Sequence, residues 1–183
     1  MYQKNLLRKY YSNLRKKKYF EVDQRFFLPF INHIKKNLKN KKFNLAIYYP
    51  ANFEVDVIKI LDNDFMLNHQ ILLPVIEDYN KMSFFSWKKR QVLLVNKFGM
   101  LEPIKSKPKI PDIILVPVLS FDRRKYRLGY GKGFYDRFLN KYLNRFKNIL
   151  TVGIAFSFQK HHKLPKDKND VKLDYILTEK GIY

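Results

Sequence analysis

The sequence predicts a three-layer α/β domain, a largely parallel sheet with helices on both faces. Three observations carry this. Short apolar, β-rich runs alternate along the chain with stretches of helical period, the order that builds a parallel sheet. Two of the runs, "DIILVPVLSF" (112–121) and "ILTVGIAF" (149–156), are nearly unbroken, as strands buried on both faces require. A glycine-rich stretch, "RLGYGKGFYD" (127–136), falls between one of these runs and an amphipathic pattern. In open α/β sheets, ligands sit beyond the carboxyl ends of the strands, and a strand-to-helix passage of this kind occupies such an end.

The elements follow in order. Leu6, Leu7, Tyr10, Tyr11 and Leu14 recur at helical spacing among lysines and arginines, which predicts a first helix. A second helical pattern runs from Val22 to Leu38, and Pro29 should kink or split it. "FNLAIYY" (43–49) reads as a strand ending at Pro50, and "EVDVIKIL" (54–61) as a return to helical spacing. "QILLPVI" (70–76) reads as a strand. "MSFFSW" and "QVLLVN" read as a hairpin or two edge strands around "KKR". "KFGMLEPIKSKPKIP" has no period and reads as a loop. "GFYDRFLNKYLNRF" is an amphipathic helix with Phe134, Phe138, Leu139, Tyr142 and Leu143 on its inner side. "DYILT" is a last short strand. With no internal repeat and no break in composition, residues 1–183 are expected to form one domain.

Composition narrows the function. The 183 residues are 46% hydrophobic, enough for a packed core. There is no cysteine, which rules out disulfides, thiolate metal sites and a thiol nucleophile. The start lacks the apolar stretch of a signal peptide and no run is long enough to span a bilayer, so a cytoplasmic protein, a monomer without membrane contact, is expected. The net charge of +21 invites a nucleic-acid reading. Against it, the lysines are spread along the whole chain and keep company with Asn, Phe, Tyr and Ile, residues of AT-rich codons. A basic nucleic-acid or anion-binding protein on an α/β scaffold is therefore the competing reading, and no specific nucleic-acid partner is expected.

"GYGKG" is neither a Walker A loop nor a dinucleotide fingerprint; its spacings fit neither. Its glycines still allow successive amides to point into one concavity, and the helix N-terminus behind it offers free N–H groups. Arg127 and Lys132 add charge for phosphate oxygens, and Asp136, in the first helical turn, is placed to hold a magnesium ion. The plainer alternative is a flexible turn with Asp136 favoured by the helix dipole.

"PDIILVPVLSFDRRKYRLGYGKGFYDRFL" (111–139) resembles the signature segment of the 5-formyltetrahydrofolate cyclo-ligases, also called methenyltetrahydrofolate synthetases. "KNLLR" (4–8), "YYPANFEVD", "FGMLEP" and "NDVKLDYIL" resemble that family's other segments in the same order, so the likeness covers nearly the whole chain. Two departures stand out. Phe134 replaces the first of two tyrosines, removing a hydroxyl, and Val118 replaces a glycine that follows the proline in many members.

The resemblance implies an ATP-dependent, Mg²⁺-dependent ligase that closes 5-formyltetrahydrofolate to 5,10-methenyltetrahydrofolate, with a reduced folate, polyglutamylated forms included, as substrate. It implies that ATP is bound by Lys4, Arg8 and the loop from Arg127 through Leu128, Gly129, Tyr130, Gly131, Lys132, Gly133 and Phe134 to Tyr135. Tyr49 and Glu54 would hold the folate, together with Tyr130, Gly131, Lys132, Gly133 and Phe134. Arg127, Lys132 and Tyr135 would be catalytic, and Asp136 and Asp174 would hold the metal. Met82 and Trp87 have a possible place in the folate pocket, although such residues in strands are usually core. The histidines are given no role.

Overall fold

The computed structural model describes residues 2–38, 41–78, 81–146 and 148–183. Its helices are α1 (Tyr2–Lys18), α2 (Leu28–Leu38) and α3 (Phe134–Leu143). Its strands are β1 (Asn44–Ala46), β2 (Gln70–Ile76), β3 (Met82–Ser86), β4 (Leu93–Val95), β5 (Leu101–Pro103), β6 (Ile113–Pro117), β7 (Ser120–Phe121), β8 (Arg127–Leu128), β9 (Leu150–Ile154), β10 (Tyr175–Thr178) and β11 (Gly181–Ile182). The main sheet has seven strands in the order β11-β10-β9-β6-β1-β2-β3. The five inner strands are parallel, and β3 and β11 close the two edges antiparallel.

Period-two alternation sorts the sheet residues into two cores. Leu45, Ile71, Leu73, Ile113, Leu115, Val152, Ile154 and Leu177 face α2 and the short helical turns, among Phe27, Phe30, Ile31 and Ile34. Ala46, Leu72, Phe84, Ile114, Val116 and Ile176 face α3, against Phe138 and Leu139. The doubly buried runs are thus the inner strands, and the predicted three layers are present.

Several local expectations are corrected. Pro29 divides the second helix as anticipated: Gln24–Phe27 form a 3₁₀ turn capped by Asp23, and the proline falls in the first turn of α2, where its missing N–H costs nothing. "EVDVIKIL" does not form an α-helix. Val57–Asp62 and Asp64–Asn68 are 3₁₀ segments, because the side chains of Asp56 and Asn63 each cap a new start and cut the run short. The loop after β4 contains β5, which pairs with β4 in a separate ribbon, so "MSFFSW" and "QVLLVN" are not hairpin partners. The glycine stretch follows the small β7–β8 ribbon rather than β6 itself.

Two buried features pin the frame around that stretch. Gly153, in β9, lies beneath Ile176, Leu173 and Val118, whose carbons would stand 2.7, 2.8 and 3.0 Å from a Cβ placed there. The extra bulk of Val118 occupies the space that Gly153 leaves. Asp122, fully buried, accepts from Arg124 N, Tyr126 N and Leu164 N at 2.9, 3.2 and 3.0 Å, and from the Arg124 guanidinium at 2.6 Å. Burial alone would raise its pKa, but Arg124 and the amides outweigh burial and hold the carboxyl below its usual value.

Gly153→Ala is expected to destabilise the fold by about 1–3 kcal/mol through overpacking, read as a lower urea midpoint, with part of the loss recovered by Val118→Ala in the same chain. For Asp122 the folded pKa lies below the unfolded one, so its stabilisation is present at neutral pH and is lost as pH falls below the ordinary carboxylate range near 4. Asp122→Asn should lower stability at pH 7 by about 1.5–3 kcal/mol and flatten the acid side of the stability profile. An acid limb identical to that of the parent protein would refute this role.

Candidate active site

The candidate site lies beyond the carboxyl ends of β1, β6 and β9, where α1 crosses the loops. The inner face of α1 is polar. Lys4, Arg8, Tyr11 and Arg15 follow one another at helical spacing, and Lys4, Tyr11 and Arg15 are buried. Lys4 Nζ donates to Asp167 and Asp170 at 2.8 and 2.5 Å. Burial opposes its charge, but the two acids outweigh that and raise its pKa. Arg8 Nε donates to the Gly129 carbonyl at 2.9 Å. Tyr11 hydroxyl meets His161 Nδ1 at 3.0 Å.

Arg8 also explains a glycine. Gly131 has φ +98°, and a Cβ there would stand 3.2 Å from Arg8 Cζ, so only glycine lets the loop run under the guanidinium. Gly133, at φ +68°, forms the cap of α3 and leaves the first amides of that helix without a side-chain partner. The loop therefore combines close approach by a cation with a helix N-terminus.

Arg127 is 7% exposed; its Nη2 donates to Asp136 Oδ1 at 2.7 Å and its Nη1 to the Val171 carbonyl at 3.3 Å. Burial lowers its pKa and Asp136 pulls it back up. Leu128 is buried, and its carbonyl accepts from Leu119 N–H at 3.0 Å, anchoring the loop to the end of β6. Lys132 is exposed with its ammonium 5.8 Å from the Phe98 ring centroid, and Phe98 lies 6.1 Å from Phe134. The tip of the β4–β5 ribbon thus covers the glycine loop, a contact the sequence reading missed. The hydroxyl of Tyr135 is buried with no hydrogen-bond partner among the described residues, and burial pushes its pKa up, so it remains a proton donor.

Glu54 lies on the other side of the loop. Its Oε2 accepts from Ala51 N–H at 2.9 Å and its Oε1 from the Tyr130 hydroxyl. Burial raises its pKa, while Tyr130 and Arg15 act the other way. Glu54 and Tyr49 line one cavity of about 490 Å³ with Tyr19, Pro50, Asn52 and Ile58. The structure therefore brings Lys4, Arg8, Glu54, Tyr49, Arg127 and the glycine loop together. Met82 and Trp87 are core residues, Met82 packed under α3 and Trp87 in the opposite core with Nε1 bonded to the Gln91 carbonyl.

Asp174 is placed elsewhere. It precedes β10, and its Oδ2 accepts from Thr151 N–H and hydroxyl at 2.8 and 2.7 Å, tying the starts of β9 and β10. No hydrogen bond or ion pair among the described residues links it to Asp136. The acid that stands beside Asp136 is Asp170: it holds Lys4, and the N–H of the next residue, Val171, donates to Asp136 Oδ1. A signal for this was present in "NDVKLD", where the second aspartate abuts an apolar strand and the first does not. Arg15, also missed, is 1% exposed and donates to the Asn52 carbonyl and the Tyr130 hydroxyl.

Comparison with known proteins gives the family. The chain matches the 5-formyltetrahydrofolate cyclo-ligase family over residues 4–179. It is 30% identical over 142 residues to 5-formyltetrahydrofolate cyclo-ligase of Haemophilus influenzae, covering 74% of this chain and 75% of that protein. It is 32% identical over 138 residues to 5-formyltetrahydrofolate cyclo-ligase of Mycoplasma genitalium, covering 73% and 71%. The solved structure of Aquifex aeolicus 5,10-methenyltetrahydrofolate synthetase superimposes with a TM-score of 0.75 at 32% identity, covering 98% of this chain and 91% of that one. A 5,10-methenyltetrahydrofolate synthetase from Mycoplasma pneumoniae shares the fold, with a TM-score of 0.75 at 24% identity over 96% and 98% of the two chains. With the family match running over residues 4–179 and relatives at 30% and 32% identity over more than two thirds of each chain, the chain belongs to the 5-formyltetrahydrofolate cyclo-ligase family.

Proposed function

We propose that the protein converts 5-formyltetrahydrofolate to 5,10-methenyltetrahydrofolate, consuming ATP with Mg²⁺ and releasing ADP and phosphate. The observation that carries this reading is the two-sided glycine loop. One side is turned to Arg8, and on the other the Tyr130 hydroxyl reaches Glu54. A nucleotide phosphate and a pterin can therefore meet over one short segment.

The chemistry needs such a meeting. A formyl oxygen is a poor leaving group, so it attacks the γ-phosphorus of ATP and the bond to ADP breaks. The neighbouring N–H nitrogen then bonds to the activated carbon, the carbon–oxygen bond breaks as the oxygen departs with phosphate, and the nitrogen gives up its proton to the departing phosphate or to water. Arg8, Arg127, Lys132 and the amides of α3 supply positive charge where the transferring group gains negative charge. Tyr135, kept protonated by burial, is available to donate a hydrogen bond. Glu54 accepts from the N–H donors of the pterin, and Tyr49 contributes to the wall of its cavity.

Mg²⁺ takes one or two carboxylates and draws its other ligands from phosphates and water. Asp136 and Asp170 would supply two such carboxylates, neighbours through Val171, whose N–H donates to Asp136 Oδ1. The ion supplies neutralisation of the phosphate oxygens. Lys4 then acts through Asp170, whose carboxylate it holds.

Methenyl product should form, followed by absorbance, only when 5-formyltetrahydrofolate, ATP and Mg²⁺ are all present. Turnover that survives complete chelation would overturn the assignment of Asp136 and Asp170. Glu54→Gln should place an amide donor against pterin donors and raise the KM for folate by about 5- to 150-fold, the equivalent of about 1–3 kcal/mol, with the KM for ATP unchanged. Equal losses for both substrates would mark Glu54 as structural.

A further inference from the structure

Arg15 is among the most deeply buried side chains of the protein, and no carboxylate touches it among the described ion pairs. Its Nη2 donates to the Asn52 carbonyl at 2.7 Å and to the Tyr130 hydroxyl at 2.6 Å, while Nε and Nη1 are buried without a partner among the described residues. A guanidinium removed from water at this depth is costly unless its charge is answered nearby. The acid that answers it is Glu54, which lies across a single hydroxyl.

The direction of the chain follows from donor chemistry. A guanidinium can only donate. The Tyr130 oxygen must accept from Arg15, so its one proton is left to go to Glu54 Oε1. The Glu54 carboxylate is then held at both oxygens, by Tyr130 and by Ala51 N–H. The Tyr130 ring itself is 43% exposed, so the relay runs from a sealed cation to the wall of the site.

We propose that Arg15 is a positioning residue for folate recognition: through the Tyr130 hydroxyl it orients Glu54 and keeps it ionised as the acceptor for the pterin. This rests on the folate-binding reading of Glu54. The groups that face Glu54 are Arg15 from α1, Tyr19 just beyond the end of α1, Tyr48, Tyr49 and Asp56 from the segment after β1, Tyr130 from the glycine loop and Tyr135 from α3. Of these, only Arg15 is a cation. Burial drives Glu54 toward its neutral form, and Arg15 with Tyr130 opposes that drive. A neutral Glu54 would carry a donor and lose half of its accepting role. Removing Arg15 therefore acts on folate and on pH together, which the loss of a packing contact would not do.

The test is the pH dependence of kcat/KM for 5-formyltetrahydrofolate, with ATP saturating, in Arg15→Met, Arg15→Lys, Tyr130→Phe and Glu54→Gln proteins of parent-like circular dichroism. Arg15→Met should move the acid limb upward by about one pH unit, equivalent to a tenfold change in proton affinity, with the KM for ATP altered less than about twofold. Arg15→Lys should restore part of the shift, and Tyr130→Phe should reproduce it. The double variant should shift no further than the larger single one, because both act on one chain. An unmoved acid limb in a folded Arg15→Met protein, alongside a Glu54→Gln protein that has lost the limb, overturns the relay while leaving the reading of Glu54 intact. A Glu54→Gln protein with unchanged folate KM overturns both. Should Arg15→Met fail to fold, Tyr130→Phe decides: the upward shift supports the relay, and its absence refutes it.

Discussion

The site depends on the way α1 is held. Most surface helices are fixed by an apolar stripe, yet the buried face of α1 consists of Lys4, Tyr11 and Arg15, with Arg8 between them. Tyr2, Leu6 and Tyr10 point outward. Each inner group reaches a loop of the site: Lys4 the 167–170 turn, Arg8 the glycine loop, Arg15 both Asn52 and Tyr130. Buried charges are costly unless they are paired, so the helix can dock only where these partners are already placed. Assembly of the helix interface and assembly of the site are one event.

The remaining constraint is the sheet, which sets where the loops begin. Strands β1, β6 and β9 are neighbours and parallel, so the segments after them emerge side by side. The segment after β1 carries Tyr49 and Glu54, and the one after β6 carries Asp122 and the glycine loop. Asp122 fixes its own loop by collecting backbone N–H groups rather than by meeting a ligand. Several of the chain's few acids are used internally, as Glu54, Asp122, Asp136 and Asp170 show, each with a cation of the chain drawn in beside it.

The layers were legible because unbroken apolar runs have few alternatives in an α/β chain, and α3 was legible from its five inner positions. The glycine loop, Glu54 and Arg8 were legible through their resemblance to a family's segments. Arg15 was not, because in a helix crowded with lysines a buried arginine looks like one more solvated cation. That Asp170 rather than Asp174 adjoins Asp136 was not legible, since two aspartates four residues apart differ only in what their loops later touch. Phe98 could not be placed because its position over the loop depends on the β4–β5 ribbon, whose strands are three residues each and carry almost no period. The 57–62 segment was misread because helical spacing of apolar residues does not reveal how short a run its caps permit.

The partners of α1 lie 121 to 166 residues further along the chain than Arg8 and Lys4 themselves. During synthesis, at about 5–20 residues per second, the helix leaves the ribosome on the order of ten seconds before they exist. A helix with an oily inner face would spend that interval as bait for aggregation. This one waits with a face of lysine, arginine and tyrosine, which water accepts, and Lys4 and Arg8 trade water for carboxylates and a carbonyl only when the last third of the chain arrives. The same choice of residues that equips the site keeps the nascent chain out of trouble.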